Sequence, residues 1–270
     1  MKVFVAICIS MGLLSCGMAF DIIAHRGENT LAPENSLESA RLAWKNGAKF
    51  VEGDFYETRD GVLICVHGRA ELKKLAGIDK PIEELTFADI AAADISANDK
   101  WRGKYSKVKI PFAADILKTV PKGGTFVFEV KNYTSEYAKK LDEAVKAAGL
   151  EKSQILIIAF NKKSLADIKK KSPEYKCLWL SARKKDKDGC VSPSADDVVA
   201  VCKKNGFDGV NMGGSNLIDA EYVATVKKAG LLFYVWTVND YNEAARLKSI
   251  GVDAVATDMA GEFLRAQSEK

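Results

Sequence analysis

From Asp21 onward the chain alternates between short runs of β-branched and aromatic residues and longer stretches whose apolar positions recur at helical spacing. Eight runs have strand character, at residues 21–24, 49–52, 125–129, 154–158, 175–179, 209–211, 231–236 and 253–256. They are nearly continuous in apolar residues, as strands covered on both faces are. Between them, residues 35–45, 133–148, 162–171, 194–204, 220–228 and 243–248 read as helices. Gly149, Gly206, Gly230 and Gly251 each follow a helical stretch, where a left-handed cap is expected. Strands alternating with helices predict βα units and a parallel sheet. Eight such units over about 250 residues predict an α/β fold closed into a (β/α)8 barrel.

Two segments interrupt the count. Val62-Leu63-Ile64-Cys65-Val66 follows the turn signal Arg59-Asp60-Gly61 and is expected to pair with the end of the second strand as a hairpin. Residues 68–110 are too long for a simple loop, and 85–95 within them look helical. With few large apolar residues, this segment reads as a small insertion, leaving residues 20–270 as one domain. Lys169-Lys170-Lys171 and Arg183-Lys184-Lys185 read as solvated faces and loops.

The beginning of the chain departs from the pattern. One positive charge, Lys2, precedes an apolar run that ends in small residues, so residues 1–19 read as a secretory signal. The run is shorter than the roughly 20 residues that span a bilayer. Two processing routes follow: cleavage after Gly17-Met18-Ala19, or lipid attachment at Cys16, since Leu13-Leu14-Ser15-Cys16 is similar to a bacterial lipobox. Either gives an exported protein, periplasmic or extracellular, that meets a membrane only if lipidated at Cys16. The short distance from Cys16 to the first strand favours the soluble form. After the signal, Cys65, Cys177, Cys190 and Cys202 remain, and disulfides or buried thiols are both open to them.

Composition adds exclusions. The 270 residues are 47% hydrophobic and 28% charged, with a net charge of only +4, which describes neither a disordered chain nor a nucleic-acid binder. There are two histidines in all. In a (β/α)8 barrel the chemistry sits at the carboxyl ends of the strands. Those ends carry His25-Arg26-Gly27, Glu52-Gly53-Asp54, His67 after the hairpin, and Glu129-Val130-Lys131. The two-residue period of a strand places Glu52 with Asp54, and Glu129 with Lys131, on a common face. Three carboxylates at such positions offer the hard oxygen ligands that Ca2+ or Mg2+ prefers. Arg26 and Lys131 then suit a phosphate, and the two histidines suit a general base and a general acid.

His25-Arg26-Gly27, Pro33-Glu34-Asn35-Ser36, Glu52-Gly53-Asp54, Thr58-Arg59-Asp60-Gly61-Val62, His67, Glu129-Val130-Lys131 and Val235-Trp236-Thr237-Val238-Asn239, in this order, resemble the motif series of the glycerophosphodiester phosphodiesterases. The resemblance runs from Ile22 to Asp258. It implies a TIM barrel with a small insertion and a divalent cation, Ca2+ or Mg2+, on Glu52, Asp54 and Glu129. It also implies catalytic histidines at His25 and His67, phosphate ligands at Arg26 and Lys131, and Trp236 lining the pocket for the alcohol part. The implied reaction is hydrolysis of a small-molecule glycerophosphodiester to glycerol 3-phosphate and an alcohol. Asn239 is otherwise a good N-cap for the following helix. The family usually has aspartate after the second histidine, where this chain has Gly68, and Ile110-Pro111-Phe112-Ala113-Ala114-Asp115 matches the family pattern only in part. Two further readings therefore stand beside hydrolysis: a cyclising phosphodiesterase akin to sphingomyelinase D, and a non-catalytic binding protein on the same fold.

Overall fold

The structure, a computed structural model, describes residues 20–268. The expected signal segment, with Cys8, Cys16 and the lipobox-like motif, lies outside the described residues.

Eight parallel strands form the barrel: β1 (Asp21–Ala24), β2 (Phe50–Glu57), β3 (Thr125–Val130), β4 (Ile155–Ala159), β5 (Lys176–Ala182), β6 (Gly209–Gly213), β7 (Leu232–Val235) and β8 (Ala254–Thr257). Each pairs with its neighbours in chain order, and β1 joins both β2 and β8, which closes the cylinder. Register is fixed by pairs such as Asp21 with Ala254, Ile23 with Phe50, and Asp54 with Glu129. The closed barrel predicted from the alternating pattern is thus the observed fold.

Alternation along the strands sorts side chains into two layers. Ile23, Val127, Leu156, Ile158, Leu178, Leu180, Tyr234, Ala254 and Ala256 fill the barrel, while Val51, Phe126, Phe128, Ile157, Val210, Phe233 and Val255 pack outward under the helices. The helices begin at polar side chains that satisfy free N–H groups: Ser36 for Leu37–Lys45, Asn161 for Lys162–Lys171, Ser194 for Ala195–Asn205 and Asp219 for Ala220–Lys228. Gly149, Gly206, Gly230 and Gly251 all take positive φ, as their positions require. The helix expected at 133–148 starts later, at Tyr137. Helices at Arg69–Ala76, Ala113–Leu117 and Ala260–Ser268 have no counterpart in the sequence reading.

The hairpin is present, with Leu63–Cys65 antiparallel to the end of β2. Its period of two joins two cores: Leu63 and Cys65 enter the main core, Ile64 and Val66 a second one. That second core includes Leu72, Leu75, Ile82, Leu85, Ile90, Ile95, Val108 and Ile110, so the segment after the hairpin is better furnished with apolar residues than its sequence suggested. The helix expected at 85–95 is reduced to one turn, Phe87–Ile90, capped by Thr86. Asp94 ends it by drawing the N–H groups of Ser96, Lys107 and Val108 to its carboxylate, a local alternative to helical bonding. Lys169 is also not a solvated face: its ammonium bonds Tyr175 O and Asp208. Arg183 lies over the Tyr222 ring. All four described cysteines are free thiols, three buried and Cys190 exposed.

Candidate active site

Strand parity carries the inward-facing set directly into a cluster of polar groups. Two residues beyond Ile23, Val127, Ile158, Tyr234 and Ala256 stand His25, Glu129, Phe160, Trp236 and Asp258, and β2 and β6 add Glu52, Asp54 and Asn211. His25, Arg26, Glu52, His67, Glu129, Lys131 and Trp236 line one pocket at the carboxyl ends of the strands, with Asp54 buried beneath them. The structure therefore brings all eight sequence-predicted site residues together.

Glu52, Asp54 and Glu129 place carboxylate oxygens within 4.8 Å of one another. Two cations hold the cluster. The Lys131 ammonium lies 2.8 Å from Glu129 Oε1 and 3.3 Å from Asp54 Oδ1. The Arg26 backbone N–H donates to Glu52 Oε2 at 2.8 Å, while its guanidinium pairs with Glu34 at 2.9 Å and lies 3.2 Å from Asp54 Oδ2. Three carboxylates and Glu34 still outnumber these cations. Burial, together with Asp54 and Glu129, pushes Glu52 well above the usual carboxylate range, and burial with Asp54 pushes Glu129 up to about 8. Burial pulls Asp54 upward too, but Lys131 and Arg26 overrule it and hold it below that range. Glu52 Oε1 is buried without any partner. An orphaned carboxylate oxygen in an acid cluster with surplus negative charge fits a divalent cation, since hard oxygen donors are what such ions take.

The histidines flank this cluster in different settings. His25 Nδ1 lies 2.7 Å from Asp258 Oδ1, leaving Nε2 for the pocket. Asp258 also accepts from Asn29 Nδ2 and, at 2.7 Å, from Asn239 Nδ2. Burial raises the Asp258 carboxyl, but hydrogen bonds from His25, Asn29 and Asn239 prevail and hold it low. Asn239 is thus not the cap expected of it; Asp240 caps the helix Tyr241–Ser249, and Asn239 instead ties Asp258 in place. His67 has no carboxylate on its ring and is pushed down to about 4, first by burial and then by Arg26 and Lys131 against the pull of Asp54.

The opposite wall is apolar. Trp236 donates its Nε1–H to Asn211 O at 3.1 Å and lies over Gly213, where a Cβ would stand 3.0 Å from the ring. Phe160 meets it edge-on at 5.5 Å and is half-exposed. Asn211 is 2% exposed, and its side-chain Oδ1 has no partner. Asp258, Phe160 and Asn211 were missed in the sequence. The signal that finds them is parity: Phe160 and Asp258 continue inward-facing rows past the ends of their strands, and Asn211 stands on the inward-facing row within β6.

The family model for the glycerophosphoryl diester phosphodiesterase family matches residues 25–262. A glycerophosphodiester phosphodiesterase of Caldanaerobacter subterraneus subsp. tengcongensis is 27% identical over 88% of this chain and 93% of its own length. One from Bacillus subtilis is 25% identical over 89% of this chain and 84% of its own length. Among solved structures, an Oleispira antarctica phosphodiesterase in complex with the product sn-glycerol-3-phosphate superposes with a TM-score of 0.77 at 24% identity, covering 92% of this chain and 96% of that one. A Thermotoga maritima glycerophosphodiester phosphodiesterase gives 0.69 at 21% identity, over 92% and 98%. Since the matched span holds seven of the eight barrel strands and all the clustered residues, the chain belongs to the glycerophosphoryl diester phosphodiesterase family.

Proposed function

We propose that this protein hydrolyses small glycerophosphodiesters to glycerol 3-phosphate and an alcohol, with a divalent cation, Ca2+ or Mg2+, held by Glu52, Asp54 and Glu129. The observation that carries this reading is the acid triad bracketed by two histidines of different character at the mouth of one barrel. A cation bound there supplies positive charge against the phosphodiester anion and the charge that grows during displacement. Arg26 and Lys131 add two donors to the phosphate oxygens. His67, neutral at neutral pH, accepts the proton from the attacking oxygen. His25, oriented through Nδ1 by Asp258, delivers a proton to the departing alcohol oxygen. Trp236 and Phe160 offer an apolar wall to one half of the substrate, and Asn211 a polar group to its hydroxyls. Export, with or without a lipid at Cys16, belongs to the same proposal and rests on residues 1–19 of the sequence.

The test is release of glycerol 3-phosphate from a panel of glycerophosphodiesters by protein beginning at Phe20, with Ca2+ or Mg2+ and then with chelator. Turnover that chelator abolishes, and that falls by orders of magnitude in His25→Ala and His67→Ala, is expected. Phosphorus NMR of the products separates this from a cyclising reaction, which yields a cyclic phosphate. Binding without turnover in folded, cation-loaded protein would overturn the proposal.

A further inference from the structure

Glu71 is a buried carboxylate beside His67 that neither the cation triad nor the histidine pair uses. It is 6% exposed, and among the described residues no lysine, arginine or histidine nitrogen pairs with it. A buried carboxyl without a cation is costly, and a helix start can be capped far more cheaply at the surface. Its surroundings show where it points. Glu71 occupies the third position of the helix Arg69–Ala76, which begins directly after His67-Gly68 and has no side-chain cap. Its Oε2 accepts the backbone N–H of His67 itself. The same oxygen lies 3.5 Å from Asn35 Nδ2, which donates to Asp54 Oδ2 at 3.0 Å, while Asn35 Oδ1 accepts the Asp54 backbone N–H at 3.1 Å. A continuous set of polar contacts thus runs from Asp54 through Asn35 and Glu71 to the main chain of His67.

Gly68 explains why this set is needed. It takes φ +145° and ψ −171°, a conformation open to glycine and strained for other residues, and it brings no side chain to the turn. Left to itself, the glycine would make the turn between His67 and the helix Arg69–Ala76 a loose point in the backbone. We propose that Glu71 is a positioning residue for His67: it fixes the main chain that carries the imidazole and couples it, through Asn35, to Asp54. It thereby supplies from within the helix the restraint that position 68 cannot. This rests on the role proposed for His67 above.

Three variants test it, each measured for kcat, KM and Tm on the glycerophosphodiester that the wild type turns over best. Glu71→Gln keeps an oxygen that accepts the His67 N–H, and it should keep kcat within about threefold. Glu71→Ala should lower kcat by about 10- to 100-fold, the scale of a misplacement of about 1 Å, with KM changed by less than about threefold because Arg26, Lys131 and Trp236 are untouched. Leu72→Ala, in the same helix and fully buried, should lower Tm while leaving kcat near wild type well below that Tm. Wild-type kcat in Glu71→Ala, or equal losses of kcat in Glu71→Ala and Leu72→Ala at matched stability, would overturn the proposal. Nitrogen NMR of the imidazoles gives a readout that needs no turnover. Glu71→Ala should broaden or split the His67 signals and leave those of His25 unchanged, and unchanged His67 signals would refute the positioning role. A wild type with no phosphodiesterase activity would refute the reaction instead and leave the positioning role to this spectrum.

Discussion

Burial costs His67 its proton: with its folded pKa at about 4 and an ordinary value near 6.5 when unfolded, the unfolded chain binds more protons between those limits. Stability from this residue is therefore present above about pH 6.5 and is lost as the pH falls toward about 4, where the loss levels off. In chelator-treated protein, urea titrations of wild type and His67→Gln should show a stability difference that declines across that window. A difference flat with pH would contradict the buried, neutral imidazole on which the base role depends. His25, Arg26, Glu52, Asp54, His67, Glu129 and Lys131 were legible as a group because each stands in a short motif at the end of an expected strand, although β2 runs on past Glu52 and Asp54 to Glu57. Asp258 was not, because its partner is 233 residues away and the contact exists only once β8 lies beside β1. Asn239 was misread for a related reason: its local role as a cap was satisfied by Asp240, which freed it for Asp258.

The elements that hold these residues depend on a few backbone positions. Gly27 joins the His25-Arg26 pair to the start of Leu37–Lys45, at φ +78°, with its missing Cβ only 2.5 Å from Ser39 Oγ. Gly27→Ala combines a disfavoured conformation with a clash against a helix end that cannot retreat. It should cost about 2–4 kcal/mol in chemical unfolding and take much of the activity with it through Arg26. A change under ~0.5 kcal/mol would show that the turn relaxes freely. The barrel strands were readable because their apolar runs are short, bounded and separated by capped helices. Residues 85–95 were not: Leu85, Ile90 and Ile95 recur every five positions, which suits no regular element, and they pack instead from a single turn and two loops. Lysine runs gave equally little away, since Lys169 and Lys171 differ only in what the fold places above them.

For the molecule as a whole, the acid cluster stores unfavourable charge that a bound cation would relieve. Glu129, with its pKa raised to about 8, keeps a proton at neutral pH that a cation must displace, so uptake of Ca2+ or Mg2+ should release protons and strengthen from pH 6 toward pH 8. At a concentration about 100 times the Kd, the stabilisation is about 2.7 kcal/mol, or roughly 2–4 °C of Tm per kcal/mol for a chain of this size. Differential scanning calorimetry at both pH values, with Glu129→Gln as the comparison, measures it. No shift in the wild type would mean that the triad takes no such ion.

The hairpin that shares its two faces between two cores has a thermal consequence. His25 stands on the closed barrel, whereas His67 follows a strand half of whose side chains belong to a second core of ten buried apolar residues. A core outside the closed barrel can open as its own cooperative unit, at a lower free energy than the whole. Heat should then loosen the backbone that carries His67 before the one that carries His25, while most of the secondary structure still stands. The working ceiling of the catalyst would then be set by the core that lies outside its barrel.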